Sequence, residues 1–203
     1  MRGRSERGFS LLEMLAVVTI LMILGAMATP SLLRAIRHYR LESSTRQIGD
    51  ILKRTRYEAM RRNQRISTVF KPPAGGGSSG GELGIDYNMN GALDTGEPRA
   101  LVTPELFLWI YPGTFTGWGI QGPDYINVTL GTQFNFGPDG ILVEQSGGSW
   151  QISSTIHGVY LHTWPDPRCA VDPAACENYI VTVTPAGRVR LWNLTAWGYQ
   201  AMQ

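Results

Sequence analysis

The residues best spaced for chemistry lie between Asp86 and Glu97, in the stretch DYNMNGALDTGE. Oxygen donors stand at positions one, three, five, nine and twelve of it, which are Asp86, Asn88, Asn90, Asp94 and Glu97. Gly91 at position six permits a sharp turn, and Ala92 at seven can offer its carbonyl. This is the twelve-residue calcium-loop pattern. Three carboxylates suit a divalent ion, so Ca2+ is the cofactor to expect here. The flanks read as strands, which sets the loop inside a hairpin and not between two helices. An Asn-Gly hairpin turn with ordinary polar decoration is the alternative.

A second group is Arg188 and Arg190, which follow the turn signal Pro185-Ala186-Gly187. The two-residue period of a strand puts both guanidinium groups on one face and Val189 and Leu191 on the other. Beside Trp192 the pair can bridge phosphates and stack on a base, which makes DNA a candidate partner. It can equally keep an exposed strand soluble. His38, His157 and His162 have no neighbouring motif with metal-ligand or triad spacing. The sequence offers no phosphate loop, nucleophile elbow or paired catalytic carboxylates, which argues against an enzyme.

These residues must be positioned by a chain of 203 residues, about one domain and at most two. Hydrophobic residues make up 43% and charged residues 17%, too apolar for disorder, and 24 glycines with 12 prolines imply many turns between short strands. An all-helical bundle is excluded. The formal charge of +2 leaves no global basic field, so any nucleic-acid site must be a local patch. Strands are expected over Ile66–Phe70, Leu83–Tyr87, Ala100–Thr103, Phe107–Tyr111, Ile126–Leu130, Gln133–Phe136, Ile141–Glu144, Trp150–Ser154, Tyr179–Thr184 and Arg188–Trp192. The segment Pro72–Gly81 is a flexible loop too poor in apolar residues to pack.

Ahead of the strands stands a long helix. Met14–Leu33 is 20 residues without a charged side chain, which as a helix spans about 30 Å and suffices to cross a bilayer. The apolar run is longer than a secretory signal peptide's core and continues into a polar helix without a clear cleavage break. Pro30 falls inside it, where a kink or melted turn is expected. Beyond, Leu41, Thr45, Ile48, Leu52, Thr55 and Ala59 recur at helical spacing, and the helix should reach about Asn63. Between residues 31 and 65 ten basic side chains face three acidic ones. A solvated helix face explains them, and contact with lipid headgroups, neighbouring subunits or a polyanion is the sharper alternative. Glu13 fits an ordinary anchor poorly, because a carboxylate among apolar residues is costly unless paired.

The segment Gly8-Phe9-Ser10-Leu11-Leu12-Glu13-Met14-Leu15, behind a leader holding Arg2, Arg4 and Arg7, resembles the cleavage and methylation signature of type IV pilins and type II secretion pseudopilins. The resemblance implies cutting by a prepilin peptidase after Gly8, an N-methylated Phe9, and an assembly role for Glu13, whose carboxylate can pair with the new amine of an adjacent subunit. Removing the leader leaves 15 basic against 15 acidic residues, a net charge of zero. Further along, Arg56–Asn63, Phe136-Gly137-Pro138-Asp139-Gly140 and Gly187-Arg188-Val189-Arg190 are similar to the GspH/FimT subgroup. On its FimT side the subgroup implies DNA contact through Arg188 and Arg190.

The implied organisation is a leader over residues 1–8, a helix over 9–65 with a transmembrane part over 9–30, and a β-rich domain over 66–203. The implied class is α+β, the pilin fold. The chain would sit in a bacterial inner membrane as a single-pass protein, its globular domain outside the cytoplasm, and join other pilins or pseudopilins in a filament. Outside the cytoplasm Cys169 and Cys176, the only cysteines, are expected to form a disulfide stapling their proline-rich loop.

Overall fold

A computed structural model of the chain describes residues 10–71, 79–109, 128–130, 133–163, 178–195 and 198–202. The chain divides into two compact units, Met1–Tyr39 and Arg40–Gln203, and each holds one part of helix α1 (Leu11–Arg62).

In the first unit none of the described helix side chains is buried. Leu12, Leu15, Leu21, Met22, Leu24 and Met27 are all exposed. An 18-residue window reaches a mean hydropathy of 2.4, so the helix is long and apolar enough to cross a membrane. Its hydroxyls turn back on the backbone. Thr19 Oγ1 donates to the Leu15 carbonyl and Thr29 Oγ1 to that of Gly25, both at 2.8 Å, so neither presents an unsatisfied donor to an apolar medium. The turn at Pro30 does not melt: the helix runs through it, and Ser31 Oγ donates to the Ala28 carbonyl at 2.8 Å.

In the second unit the expected stripe is the buried one. Leu41, Thr45, Ile48, Leu52, Thr55 and Ala59 are all 0% exposed, and they join a core with strand residues such as Ile66, Phe136, Leu161 and Val181. Burying such apolar side chains stabilises by about 1.5–3 kcal/mol each. Thr45 and Thr55 spend their hydroxyls on the carbonyls of Leu41 and Ile51, so their burial leaves no orphan donor. The outer face carries charge in ladders, Arg46 on Glu42 and Lys53 on Asp50, which is the solvated reading of the basic run. The helix stops at Asn63, whose φ of 50° turns the chain left-handed. Gln64 N–H reaches back to the Ala59 carbonyl and Asn63 N–H to that of Met60, the paired bonds of a Schellman end.

Eleven strands follow: β1 (Ile66–Lys71), β2 (Ser79–Asp86), β3 (Arg99–Trp109), β4 (Val128–Leu130), β5 (Asn135–Phe136), β6 (Leu142–Ser146), β7 (Ser149–Ile152), β8 (Ile156–Thr163), β9 (Asn178–Val183), β10 (Val189–Thr195) and β11 (Gly198–Ala201). They form one sheet in the order β11-β10-β9-β8-β3-β2-β1-β5-β6-β7, with β4 beside β8. Among the described strands only β4 and β8 run parallel. The α+β class is as expected, a long helix half-buried on an antiparallel sheet.

Several assignments change. Ser79–Gly81, expected as the end of a flexible loop, open strand β2 and pair with β3. Ala100–Thr103 and Phe107–Tyr111 belong to the single strand β3 as far as Trp109. Pro104, which has no N–H to donate, sits where the β2–β3 register jumps from Gly81↔Val102 to Ser79↔Phe107, so no ladder bond is asked of it. Strands β8 and β11 were not expected. Gly158 and two histidines interrupt the apolar alternation of β8, yet Val159 and Leu161 are buried between β3 and β9. The tail strand β11 pairs Ala201 with Trp192 and brings Met202 against the core.

Candidate functional site

The loop that follows Asp86 is the β2–β3 hairpin connection, as its flanks predict. Antiparallel pairing ends at Gly84↔Arg99, and the Ile85 N–H bonds the Pro98 carbonyl at 3.0 Å. Inside it the candidate ligands organise the backbone. Asp86 is 0% exposed; its Oδ1 accepts the Asn90 N–H at 3.2 Å and its Oδ2 the Gly91 N–H at 2.8 Å. Asn88 Oδ1 accepts from Asn90 N–H, and Asn90 Oδ1 from Ala92 N–H. Asp94 Oδ2 receives the amide groups of Asn88 and Asn90 at 2.8 and 3.0 Å. Glu97 closes the ring, accepting Tyr87 N–H on one oxygen and Asp94 N–H on the other, at 2.9 and 2.8 Å.

Gly91 has a φ of 78°, the left-handed turn that position six requires. Leu93 pins the loop to β2, where a Cβ on Gly84 would come within 2.6 Å of Leu93 Cδ2. From outside, Arg99 pairs with Glu82 and donates to the Asp94 carbonyl. No cation among the described residues pairs with Asp86, Asp94 or Glu97. No three His, Cys, Asp or Glu side chains among the described residues are gathered to hold a metal on their own. Amide and carbonyl oxygens would therefore have to complete any cation site at this loop.

Of the arginine pair only Arg190 lies in β10; Arg188 stands just before it, at the end of the β9–β10 turn, and not in the strand as expected. Val189 and Leu191 of β10 pack toward the core, and Leu191 fills the space beside Gly49 on the helix, whose Cβ would meet it at 3.0 Å. Arg190 falls on the other face with Trp192. Arg188 is exposed, and Arg190 is half-buried with its guanidinium 5.7 Å from the Trp192 ring centre. Trp192 Nε1 donates to Thr182 Oγ1 of β9 at 2.9 Å, which ties the ring to the neighbouring strand.

Sequence reading missed what holds this strand in place. Arg56, on the helix, turns inward and donates from Nε to the Gly140 carbonyl at 2.9 Å. Gly140 and Gly187, both with φ of 74°, meet there, so the helix, the Gly137–Gly140 turn and the β9–β10 turn close on one point. Spacing on the helix could not distinguish Arg56 from its solvated neighbours. Nearby on the helix, Glu58 takes Arg61 at 2.7 Å and Arg62 at 3.0 Å. The Arg61 hydrogen bond outweighs burial and holds the Glu58 carboxyl below the usual carboxylate range.

His157 meets Ser153 Oγ at 2.9 Å and Glu144 Oε2 at 3.5 Å, all through Nε2. A catalytic relay needs the hydroxyl and the carboxylate on opposite ring nitrogens, so this trio is not one. Burial pushes the His157 imidazole below its ordinary value against the opposing pull of Glu144, which favours the neutral ring. Among the remaining candidates, Glu13 lies in the first turn of α1. Gly8, Phe9, Cys169 and Cys176 lie outside the described residues.

Three comparisons bear on these residues. A search of curated proteins finds no match. Among solved structures, the type IV minor pilin FimU of Pseudomonas aeruginosa is similar at 13% identity and a TM-score of 0.44, over 76% of this chain and 90% of that one. Residues 3–29 match the family model of the prokaryotic N-terminal methylation motif. The N-terminal segment of this chain, with Gly8, Phe9 and Glu13 inside it, thus carries the prokaryotic N-terminal methylation motif.

Proposed function

We infer that the chain is a minor pilin or pseudopilin: a structural subunit cut by a prepilin peptidase after Gly8, methylated on Phe9, held in the inner membrane by its apolar helix, and assembled with other pilins into a type IV pilus or type II secretion filament. The observation that carries this reading is the methylation motif over residues 3–29, joined without interruption to a helix whose first part is wholly exposed and apolar. Such a surface is stable only against lipid or against like helices. The α+β domain that follows agrees with the pilin fold. Its second unit, outside the cytoplasm, is the part available to partners.

Processing tests it. Intact mass of the protein purified from membranes should lack residues 1–8 and carry one added methyl on Phe9, and Gly8→Ala should retain the leader. A full-length, unmethylated chain recovered from cells with an active prepilin peptidase would sink the reading.

A second reading gives the same subunit a DNA-capture role through Arg188 and Arg190. What supports it is an exposed Arg188 next to the strand and an Arg190 that shares with the Trp192 ring the face opposite Val189 and Leu191. Binding of this kind is weak, tolerant of sequence and steeply salt-dependent. The Arg188→Ala, Arg190→Ala double variant should abolish gel retardation at low salt and leave the melting temperature within about 2 °C of the parent, the scale of an ordinary surface change. Equal retardation by both proteins assigns the pair to strand solubility alone.

A further inference from the structure

We propose that α1 carries a lipid-binding collar over residues 34–39, centred on Arg37 and Tyr39, that takes the phosphate groups of anionic phospholipids. The proposal rests on the membrane-anchored reading of the apolar helix. It starts from a difference within the basic run. In the second unit several helix cations meet acids one turn away: Arg46 on Glu42, Lys53 on Asp50, Arg61 and Arg62 on Glu58. In the first unit no such pairing is open. From Met14 to Leu41 the chain has no Asp or Glu, so neither Arg34 nor Arg37 has a carboxylate three or four residues away. Arg37 is exposed and makes no ion pair among the described residues.

Depth decides what can answer these charges. The uncharged run Met14–Leu33 matches a hydrocarbon core about 30 Å thick. At about 1.5 Å per residue, positions 34–39 then rise about 2–9 Å past its edge, and the headgroup layer there is about 5–8 Å deep. Lipid phosphates lie in that layer. Leu32, Leu33 and Ile36 are exposed beside the collar, and Tyr39, 72% exposed, stands at its outer end. An amphipathic ring at that depth keeps its body against lipid and its hydroxyl in water. The Arg37 stem is long enough to stay with the acyl chains while its guanidinium reaches a phosphate.

The chemistry selects the lipid. A guanidinium is a planar fork that donates two N–H bonds to one phosphate. A zwitterionic headgroup brings its own cation to that phosphate, whereas an anionic one leaves it uncompensated. Each arginine near an anionic surface is worth about a fivefold gain in attraction. With no acid in the collar, nothing offsets that gain.

The experiment places the full chain in phosphatidylcholine bilayers with spin-labelled phosphatidylglycerol or phosphatidylcholine as the probe. Paramagnetic resonance of the lipid immobilised at the protein should show phosphatidylglycerol preferred about fivefold or more, a preference that collapses in about 1 M salt, where charges are screened beyond about 3 Å. Arg34→Gln with Arg37→Gln should remove the preference, and Arg34→Lys with Arg37→Lys should keep most of it. Lys53→Gln with Arg54→Gln, an equal loss of charge in the second unit, should leave it unchanged. Equal retention of the two lipids by the parent, a preference that survives in the first glutamine pair, or an equal loss in the second overturns the collar. Excess inorganic phosphate that abolishes the preference would assign the arginines to free phosphate and overturn the lipid assignment. Flotation with phosphatidylcholine vesicles separates the two readings. A parent chain that stays out of the vesicle layer overturns the anchored reading and the collar with it, while one that floats without a lipid preference overturns the collar alone.

Discussion

Gly187→Ala is expected to destabilise the Arg40–Gln203 unit by about 3 kcal/mol, with roughly 1 kcal/mol from forcing alanine into a left-handed conformation and the rest from overpacking. Gly187 has a φ of 74° in the β9–β10 turn, where its N–H bonds the Thr184 carbonyl at 2.7 Å. A Cβ there would overlap the carbonyl oxygen of Gly140 and crowd Arg56 Nε at 2.9 Å. Neither neighbour can step aside cheaply. The Gly140 carbonyl is held by Arg56, and its N–H by the Gly137 carbonyl at 2.9 Å. Gly147→Ala is the control, because its φ of 58° carries backbone strain while nothing lies within 4 Å of the new methyl. Thermal melting followed by tertiary circular dichroism should fall by about 6–12 °C for Gly187→Ala and about a third of that for Gly147→Ala. Equal losses would show that the Arg56 junction gives way and does not fasten the strand.

The second large effect is expected at Glu13, and on assembly. In the first turn of α1 its carboxylate stands among Leu11, Leu12, Met14 and Leu15, which are between 54% and 84% exposed. A carboxylate in such surroundings is expensive in lipid, by about 2.5–3.5 kcal/mol at the helix centre, unless a cation meets it. The methylated amine of a neighbouring subunit would be that cation in the filament reading. Glu13→Ala should therefore insert and fold like the parent, while incorporation into filaments drops at least tenfold. Sheared filaments probed for the subunit, against total membrane content, measure the ratio. Undiminished incorporation would mean that the carboxylate does no pairing.

Local chemistry was legible in the sequence and non-local packing was not. The Asp86–Glu97 hairpin connection could be read from its own residues and flanks, since its organising bonds span at most ten residues. The buried stripe from Leu41 to Ala59 was legible for the same reason: helical period is a property of neighbours. Strand β8 was illegible because its alternation is broken by Gly158 and by histidines, and only the partners on both sides make it a strand. Arg56 is the sharper case. Its neighbours on the helix predict solvent, and the glycine turn that claims its guanidinium lies 84 residues away. Asn63 ends the helix by a left-handed residue that composition does not announce, though the predicted boundary fell beside it.

The order in which the core is made has a cost in time. The helix face from Leu41 to Ala59 leaves the ribosome early, and β1 follows, yet the partner of Ile66 is Phe136, and Tyr179, Val181 and Val183 complete the same core near the far end of the chain. Pairings this distant close slowly, on the scale of milliseconds to seconds, after the chain that joins them exists. Until residue 183 emerges, the sheet that covers the apolar stripe of the helix is incomplete. The nascent protein therefore passes through a stage with two sticky helical segments, one that a bilayer can take up and one that only its own late strands can.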